Sequence, residues 1–173
     1  RVRIAYRKPV KQDGARIWTL VRDSGKLDLN SPYCYAMLCE WFADTCVVAE
    51  HAPDGELVGM ATGFRQPSAP DTLFVWQIAV AERHRGRGIA SALLNELAGR
   101  GNVRYVEATI APSNASSRRL FRKWAASRGA PVSVSEGFVS ADFPEGKHET
   151  EERYRIGPLC PEAEKDQINR EGT

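Results

Sequence analysis

The run Leu73-Phe74-Val75-Trp76-Gln77-Ile78-Ala79-Val80 passes directly into Ala81-Glu82-Arg83-His84-Arg85-Gly86-Arg87-Gly88-Ile89-Ala90. Its first part is rich in β-branched and aromatic residues and long enough for a central, buried strand. The second part is basic and punctuated by glycines. From Ile89 onward, Ile89, Leu93 and Leu97 recur at i, i+4 and i+8, with Ala90 and Leu94 widening the same apolar face, so a helix begins there. Strand, glycine turn, helix is the resulting order. Such a turn lets backbone amides point inward while the helix directs its positive end at the same spot, which makes an anion cradle. Arg83, Arg85 and Arg87 add planar forks suited to phosphate oxygens. On the turn alone two readings stand, a diphosphate cradle and a basic surface turn that starts a helix. No Gly-Lys-Ser/Thr follows, so it is not a P-loop, and the G-x-G-x-x-G order of dinucleotide folds is missing.

Working outward, Ile4–Arg7 is predicted as a short strand and about Gln12–Val21 as a helix with Ile17, Leu20 and Val21 at helical spacing. Ser31-Pro32 announces a second helix to about Trp41, because Ser accepts an orphan amide and Pro needs no donor in the first turn. Thr45–His51 and Leu57–Phe64, joined across Pro53-Asp54-Gly55, read as a β-hairpin, with a Pro-rich loop at Gln66–Asp71 before the central strand. Downstream come a strand at Tyr105–Ile110 and a helix at Asn114–Arg128, with Leu120, Phe121 and Trp124 on its apolar face. The last two strands fall at about Val132–Phe138 and Thr150–Ile156. The predicted class is α/β (α+β), a mixed and mostly antiparallel sheet of about seven strands with about four helices on both faces. Residues 1–157 form one expected domain and 158–173 a polar tail.

The 173 residues, 42% of them hydrophobic and 27% charged, match a globular chain rather than a disordered or fibrous one. A net charge of +2 is too small for the overall field to imply nucleic-acid binding. RNA binding through Arg83–Arg87 lacks interleaved aromatics. Neither a long apolar stretch nor a signal-like start is visible, so no membrane partner is expected; beginning at Arg1, the chain reads as a trimmed product. Cys34, Cys39, Cys46 and Cys160 form no C-x-x-C pair and His51, His84 and His148 are scattered, so free thiols in a cytoplasmic protein without a metal are expected.

Arg85-x-x-Gly88-x-Ala90 resembles the acetyl-coenzyme A pyrophosphate motif Q/R-x-x-G-x-G/A of the GCN5-related N-acetyltransferases, placed between the fourth strand and the third helix as in that family. Asn114-x-x-Ser117-x-x-Leu120-Phe121 resembles its N-x-x-A-x-x-L-Y segment. The resemblance implies acetyl-coenzyme A as co-substrate, held by Arg85, Gly86, Arg87, Gly88, Ile89 and Ala90. It also implies backbone groups of Ile78 and Val80 on the pantetheine arm, with Asn114 and Phe121 alongside. Asn114 reads equally as a helix N-cap. The family's tyrosine, which protonates the leaving thiolate, aligns with Phe121, and phenylalanine has no proton to give.

Asp28-Leu29-Asn30-Ser31-Pro32-Tyr33-Cys34-Tyr35, Val75–Val80 and His148-Glu149-Thr150-Glu151 resemble the L-2,4-diaminobutyrate acetyltransferases within that superfamily. This narrower resemblance implies a small diamino acid as acceptor, acetylated on its 4-amino nitrogen in ectoine biosynthesis, and a homodimer. A doubly cationic acceptor calls for anions, and among Asp28, Glu149, Glu151 and Glu152 the best pair is Asp28 and Glu151. Each also reads as a solvated surface charge. Trp76 is either core or a cation–π face for an ammonium, and His148 orients the site or is structural. Tyr33 and Tyr35 are the candidate proton donors. Another amine as acceptor, such as a protein N-terminus, a lysine or a polyamine, stays open, and so does a non-catalytic acyl-coenzyme A sensor.

Overall fold

The computed structural model describes residues 3–160. By their internal contacts they group into two compact units, the first ending at Asn102 and the second beginning at Val103.

In the first unit four strands pair antiparallel in sequence order: β1 (Ile4–Arg7), β2 (Val47–His51), β3 (Glu56–Gln66) and β4 (Ala69–Val80). The segment Gln66–Asp71, expected as a loop, is instead a tight hairpin in which Gln66 faces Ala69 and only Pro67 and Ser68 turn. Proline misled here, because Pro70 sits close to the strand's end, where a missing amide is tolerated. Likewise β2 starts at Val47, since Ala43–Thr45 form a 3-10 turn.

The helices α1 (Asp13–Ser24) and α2 (Pro32–Trp41) cover one face of this sheet, and Ile17, Val21, Tyr35 and Cys39 pack with Val48, Met60 and Ala79 in a core cluster. Burying each of the larger aliphatic side chains contributes about 1.5–3 kcal/mol. On the other face lies α3 (Ile89–Ala98), and a Cβ built on Gly59 would stand 3.1 Å from Ile89 Cγ2. Asp13, buried at the start of α1, receives Arg7 Nη1 at 2.7 Å and Arg7 Nη2 at 3.1 Å. Arg16 and the Val10 amide also donate to it. Burial pushes the Asp13 carboxyl up, but these donors and the charges of Arg7 and Arg16 outweigh it and hold the group below the usual carboxylate value.

The second unit holds β5 (Tyr105–Ile110), α4 (Ala115–Ser127), β6 (Val132–Phe138) and β7 (Glu151–Ile156), with β7 between β5 and β6 and both pairings antiparallel. The helix α4 buries Phe121, Trp124 and Ala125, and Arg122 lies over the Tyr154 ring of β7. Glu107, buried on β5, is paired by Arg155 Nη1 at 2.5 Å and by Arg153. The stretch from Gly157, expected to be an extended tail, is tied down at its start: Leu159 is buried and its amide donates to Arg104 O at 2.7 Å. The rest of that expected tail, 161–173, lies outside the described residues.

Candidate active site

The turn between β4 and α3 takes its shape from two glycines in the left-handed region, Gly86 at φ 77° and Gly88 at φ 76°. A Cβ at either position would meet no protein atom within 4 Å, so the backbone conformation, not crowding, requires glycine there. Gly88 is also the N-cap of α3 and offers no side chain to the helix start. Since the first bond into α3 is Ala92 N–H to Gly88 O, the amides of Ile89, Ala90 and Ser91 point out of the helix end. Open space above uncapped amides, ringed by cations, fits a phosphate group.

The cations have different anchors. Arg85 Nε reaches Val80 O at 3.4 Å, and Arg83 pairs with Glu56 at the start of β3. Arg87 Nη1 approaches His84 Nδ1 at 3.4 Å. Burial first, then the charges of Arg87 and Arg83, keep the His84 pKa below the ordinary imidazole value, so near neutral pH the ring accepts from Arg87. Beside the turn opens a cleft of about 410 Å³, bordered by Arg16 and Leu20 of α1 and by Val80, Arg83 and Arg85. Ile78 and Val80 pair across β3 with Ala61 and Gly59.

Further along β4 the pairing slips. Thr62 faces Gln77 while Gly63 faces Val75, which leaves Trp76 as the extra residue of a bulge. A bulge re-aims side chains, and this one brings Trp76 and Gln77 both towards α2. Trp76, 40% exposed, stacks on Tyr35 with ring centroids 6.4 Å apart. Tyr35 is fully buried; its hydroxyl donates to Gln77 Oε1 at 2.9 Å and accepts from Asn30 N–H at 3.3 Å. Gln77 Nε2 in turn donates to Asp28 O at 2.7 Å. Gln77, which the sequence pattern does not single out, thus ties Asp28 to Tyr35, the ring on which Trp76 stacks. Its signal was available, since an amide in a strand of apolar residues must find partners once buried. Tyr33, two residues before Tyr35 on α2, is 71% exposed. Ser31 caps that helix by accepting from Cys34 N–H.

In the second unit His148 and Glu151 come together, with His148 Nε2 at 3.7 Å from Glu151 Oε2. The His148 ring stacks on Phe143 at 4.0 Å, and its Nδ1 lies 2.6 Å from Glu149 O. A carbonyl only accepts, so Nδ1 carries a proton and Nε2 faces the carboxylate. Glu149 accepts from Ser113 Oγ at 2.5 Å and from Ser113 N–H at 3.0 Å. The Ser113 hydroxyl first, then its amide, hold the Glu149 carboxyl below its usual value. Asn114 Oδ1 accepts from Ser117 N–H at 3.1 Å as the N-cap of α4, and Phe121 is buried in that helix.

The family model described as Acetyltransferase (GNAT) family matches residues 15–125. The chain belongs to the acetyltransferase (GNAT) family. As a GNAT enzyme it has the expected architecture, with seven strands and four α-helices among the described residues. Over 159 residues it is 51% identical to the L-2,4-diaminobutyric acid acetyltransferase of Marinococcus halophilus, covering 90% of this chain and 91% of the relative. The Streptomyces coelicolor protein of the same name is 46% identical, covering 88% and 91%. Among solved structures, the diaminobutyrate acetyltransferase EctA from Paenibacillus lautus superimposes with a TM-score of 0.87 at 46% identity, covering 94% of this chain and 99% of that one. It was solved with L-2,4-diaminobutyric acid and coenzyme A. Ard1 from Thermoplasma volcanium, at 18% identity and a TM-score of 0.69, shares the fold. No helix among the described residues is long and apolar enough to cross a membrane.

Proposed function

We propose that this chain transfers the acetyl group of acetyl-coenzyme A to the 4-amino nitrogen of L-2,4-diaminobutyrate, giving N4-acetyl-L-2,4-diaminobutyrate for ectoine biosynthesis. The observation that carries the reading is the likeness, over 94% of the chain, to a structure holding that diamino acid and coenzyme A. Acetyl-coenzyme A supplies an activated acyl group on a thiol leaving group. Arg85, Arg87 and the amides from Gly86 to Ala90 hold its diphosphate, a role that their open, uncapped geometry supports. Ile78 and Val80 bond the pantetheine arm through their backbones, with Asn114 and Phe121 lining it, and the Ile78 amide polarises the thioester carbonyl.

The acceptor presents the opposite problem. An alkylamine with a pKa of about 10 is protonated at neutral pH and must lose a proton before it attacks. Asp28 and Glu151 receive the ammonium groups, Trp76 offers its exposed face to one of them, a carboxylate of that pair or a water chain takes up the proton, and His148, beside Glu151, orients the site. For the thiolate, Tyr33 is the donor of choice, because the Tyr35 proton is already directed at Gln77. The catalytic domain spans residues 1–157, a reading supported by a family match that starts in the first unit and extends into the second. The functional form is a homodimer in the cytoplasm. Exposed Val134 and Phe138 on the edge strand β6 support the first, and four free cysteines the second.

Thiol release measured with a panel of diamines, amino acids, peptides and polyamines tests the reaction, and turnover confined to L-2,4-diaminobutyrate with a 4-acetylated product is expected. Asp28→Asn and Glu151→Gln should each cost about 1.5–3 kcal/mol in kcat/KM for the diamine while coenzyme A affinity stays unchanged. Equal turnover of a peptide amine or a polyamine would overturn the assignment.

A further inference from the structure

We infer that Glu149 is a positioning residue for the acceptor-binding pair His148 and Glu151, and that it acts through Ser113. The inference rests on the reading of His148 and Glu151 given above. One residue carries two functions here. Its backbone carbonyl receives the His148 Nδ1 proton at 2.6 Å, and its side chain is gripped by the Ser113 hydroxyl at 2.5 Å and the Ser113 amide at 3.0 Å. A hydroxyl bonded to a carboxylate at that separation is a charge-assisted contact, and with the amide it makes a two-point grip that fixes direction as well as distance.

The surrounding segment explains why a grip is needed. From Val139 to Thr150 the chain has no regular strand or long helix, only two 3-10 turns, Ser140–Asp142 and Pro144–Gly146. It folds on itself through Val139 N–H to Asp142 Oδ2, Ser140 Oγ to Thr150 Oγ1 and the Phe138, Phe143 and His148 rings. These contacts shape the segment but do not tie it to a neighbour. Ser113, in the turn before α4, supplies such a tie. With the Glu149 side chain held, its carbonyl is held, and that carbonyl keeps a proton on His148 Nδ1 with Nε2 turned towards Glu151.

The sequence reading weighed Glu149 as one carboxylate among four for the ammonium groups. The geometry assigns it to Ser113 instead, so it orients the site without touching the acceptor.

Steady-state kinetics of full-length Ser113→Ala, Ser113→Thr and Glu149→Gln, with diaminobutyrate and acetyl-coenzyme A varied separately, test this. Ser113→Ala should raise KM for the diamine about 5- to 20-fold, leave KM for acetyl-coenzyme A within about twofold, and be rescued by Ser113→Thr, which restores the hydroxyl. Glu149→Gln should act in the same direction, and its effect should not add to that of Ser113→Ala. Nitrogen-15 spectra of His148 give a readout independent of turnover: the Nδ1–H form should dominate in the wild type and give way to the Nε2–H form in Ser113→Ala. A wild-type diamine KM in Ser113→Ala, an equal rise for acetyl-coenzyme A, or an unchanged tautomer would each overturn the inference. Where Glu151→Gln impairs diamine use but Ser113→Ala does not, only the inference falls. Where Glu151→Gln itself behaves as wild type, the reading falls and the inference with it.

Discussion

From Glu82 to Ala90 the chain offers its backbone to a ligand, whereas from Val139 to Glu151 it offers side chains. The first region needs left-handed φ at Gly86 and Gly88 and amides left bare at the start of α3, and its arginines are anchored one by one to Val80, Glu56 and His84. The second has His148, Glu149 and Glu151 set by an aromatic stack, a carbonyl and Ser113. The difference sets how each region fails. A backbone site tolerates the loss of single side chains and is ruined by a bulky anionic group placed into its open space, while a side-chain site loses function in steps as its contacts are removed.

The largest effect should therefore follow from filling the space above the turn. Gly88→Glu puts an anion where a phosphate must lie, and calorimetry with coenzyme A should show affinity lost by about 10³-fold or more. A folded variant binding within threefold of the wild type would break the contrast.

The next largest lies on α2, which carries the two tyrosines. Tyr33→Phe should lower kcat by about 10²-fold or more without weakening coenzyme A binding, as for a lost proton donor. Tyr35→Phe should instead lower thermal stability and raise the acceptor KM, because it unseats Gln77. Should Tyr33→Phe lower kcat by less than about threefold, the thiol's own acidity suffices and no tyrosine donor operates.

A smaller effect separates scaffold from site. Asp13 has its pKa lowered in the fold, so its contribution to stability is present above the unfolded value of about 4 and disappears as pH falls through the folded value. In Asp13→Asn we expect about 1.5–3 kcal/mol less stability at pH 7 by denaturant titration and a flatter acid limb, with coenzyme A affinity unaltered. An unchanged acid limb would remove Asp13 from that role. The smallest effect belongs to Gly88→Ala, which adds only a methyl group at φ 76° in open space; about 1 kcal/mol of strain should appear in stability and coenzyme A affinity together. A tenfold loss would mean that the ligand touches that position closely.

Legibility in the sequence divides along the same line. The glycine turn, the Ser31-Pro32 start of α2 and the bounds of β1 and β6 were readable because each depends on neighbours within a few residues. The Trp76 bulge was not, since it is a property of two strands in register rather than of either alone. Tyr35 and Gln77 meet across 42 positions and Ser113 and Glu149 across 36, and no spacing rule encodes such partners. Glu149 therefore read as one more acidic residue, and Gln77 as part of an apolar run.

Gln77 also works as a datum for the first unit. Its amide cannot turn over freely: Tyr35, already accepting from Asn30, must give its proton to Oε1, which leaves Nε2 for the Asp28 carbonyl. Asp28 is thereby measured off β4, the strand that also carries Ile78 and Val80 one and three positions further on. Length changes around Lys26 would be absorbed before reaching Asp28, whereas a one-residue slip of β4 would displace Asp28, Ile78 and Val80 together. Exposed Lys26 is free to change, while Leu27, packed against the core cluster, and the Gln77 amide hold the loop in place.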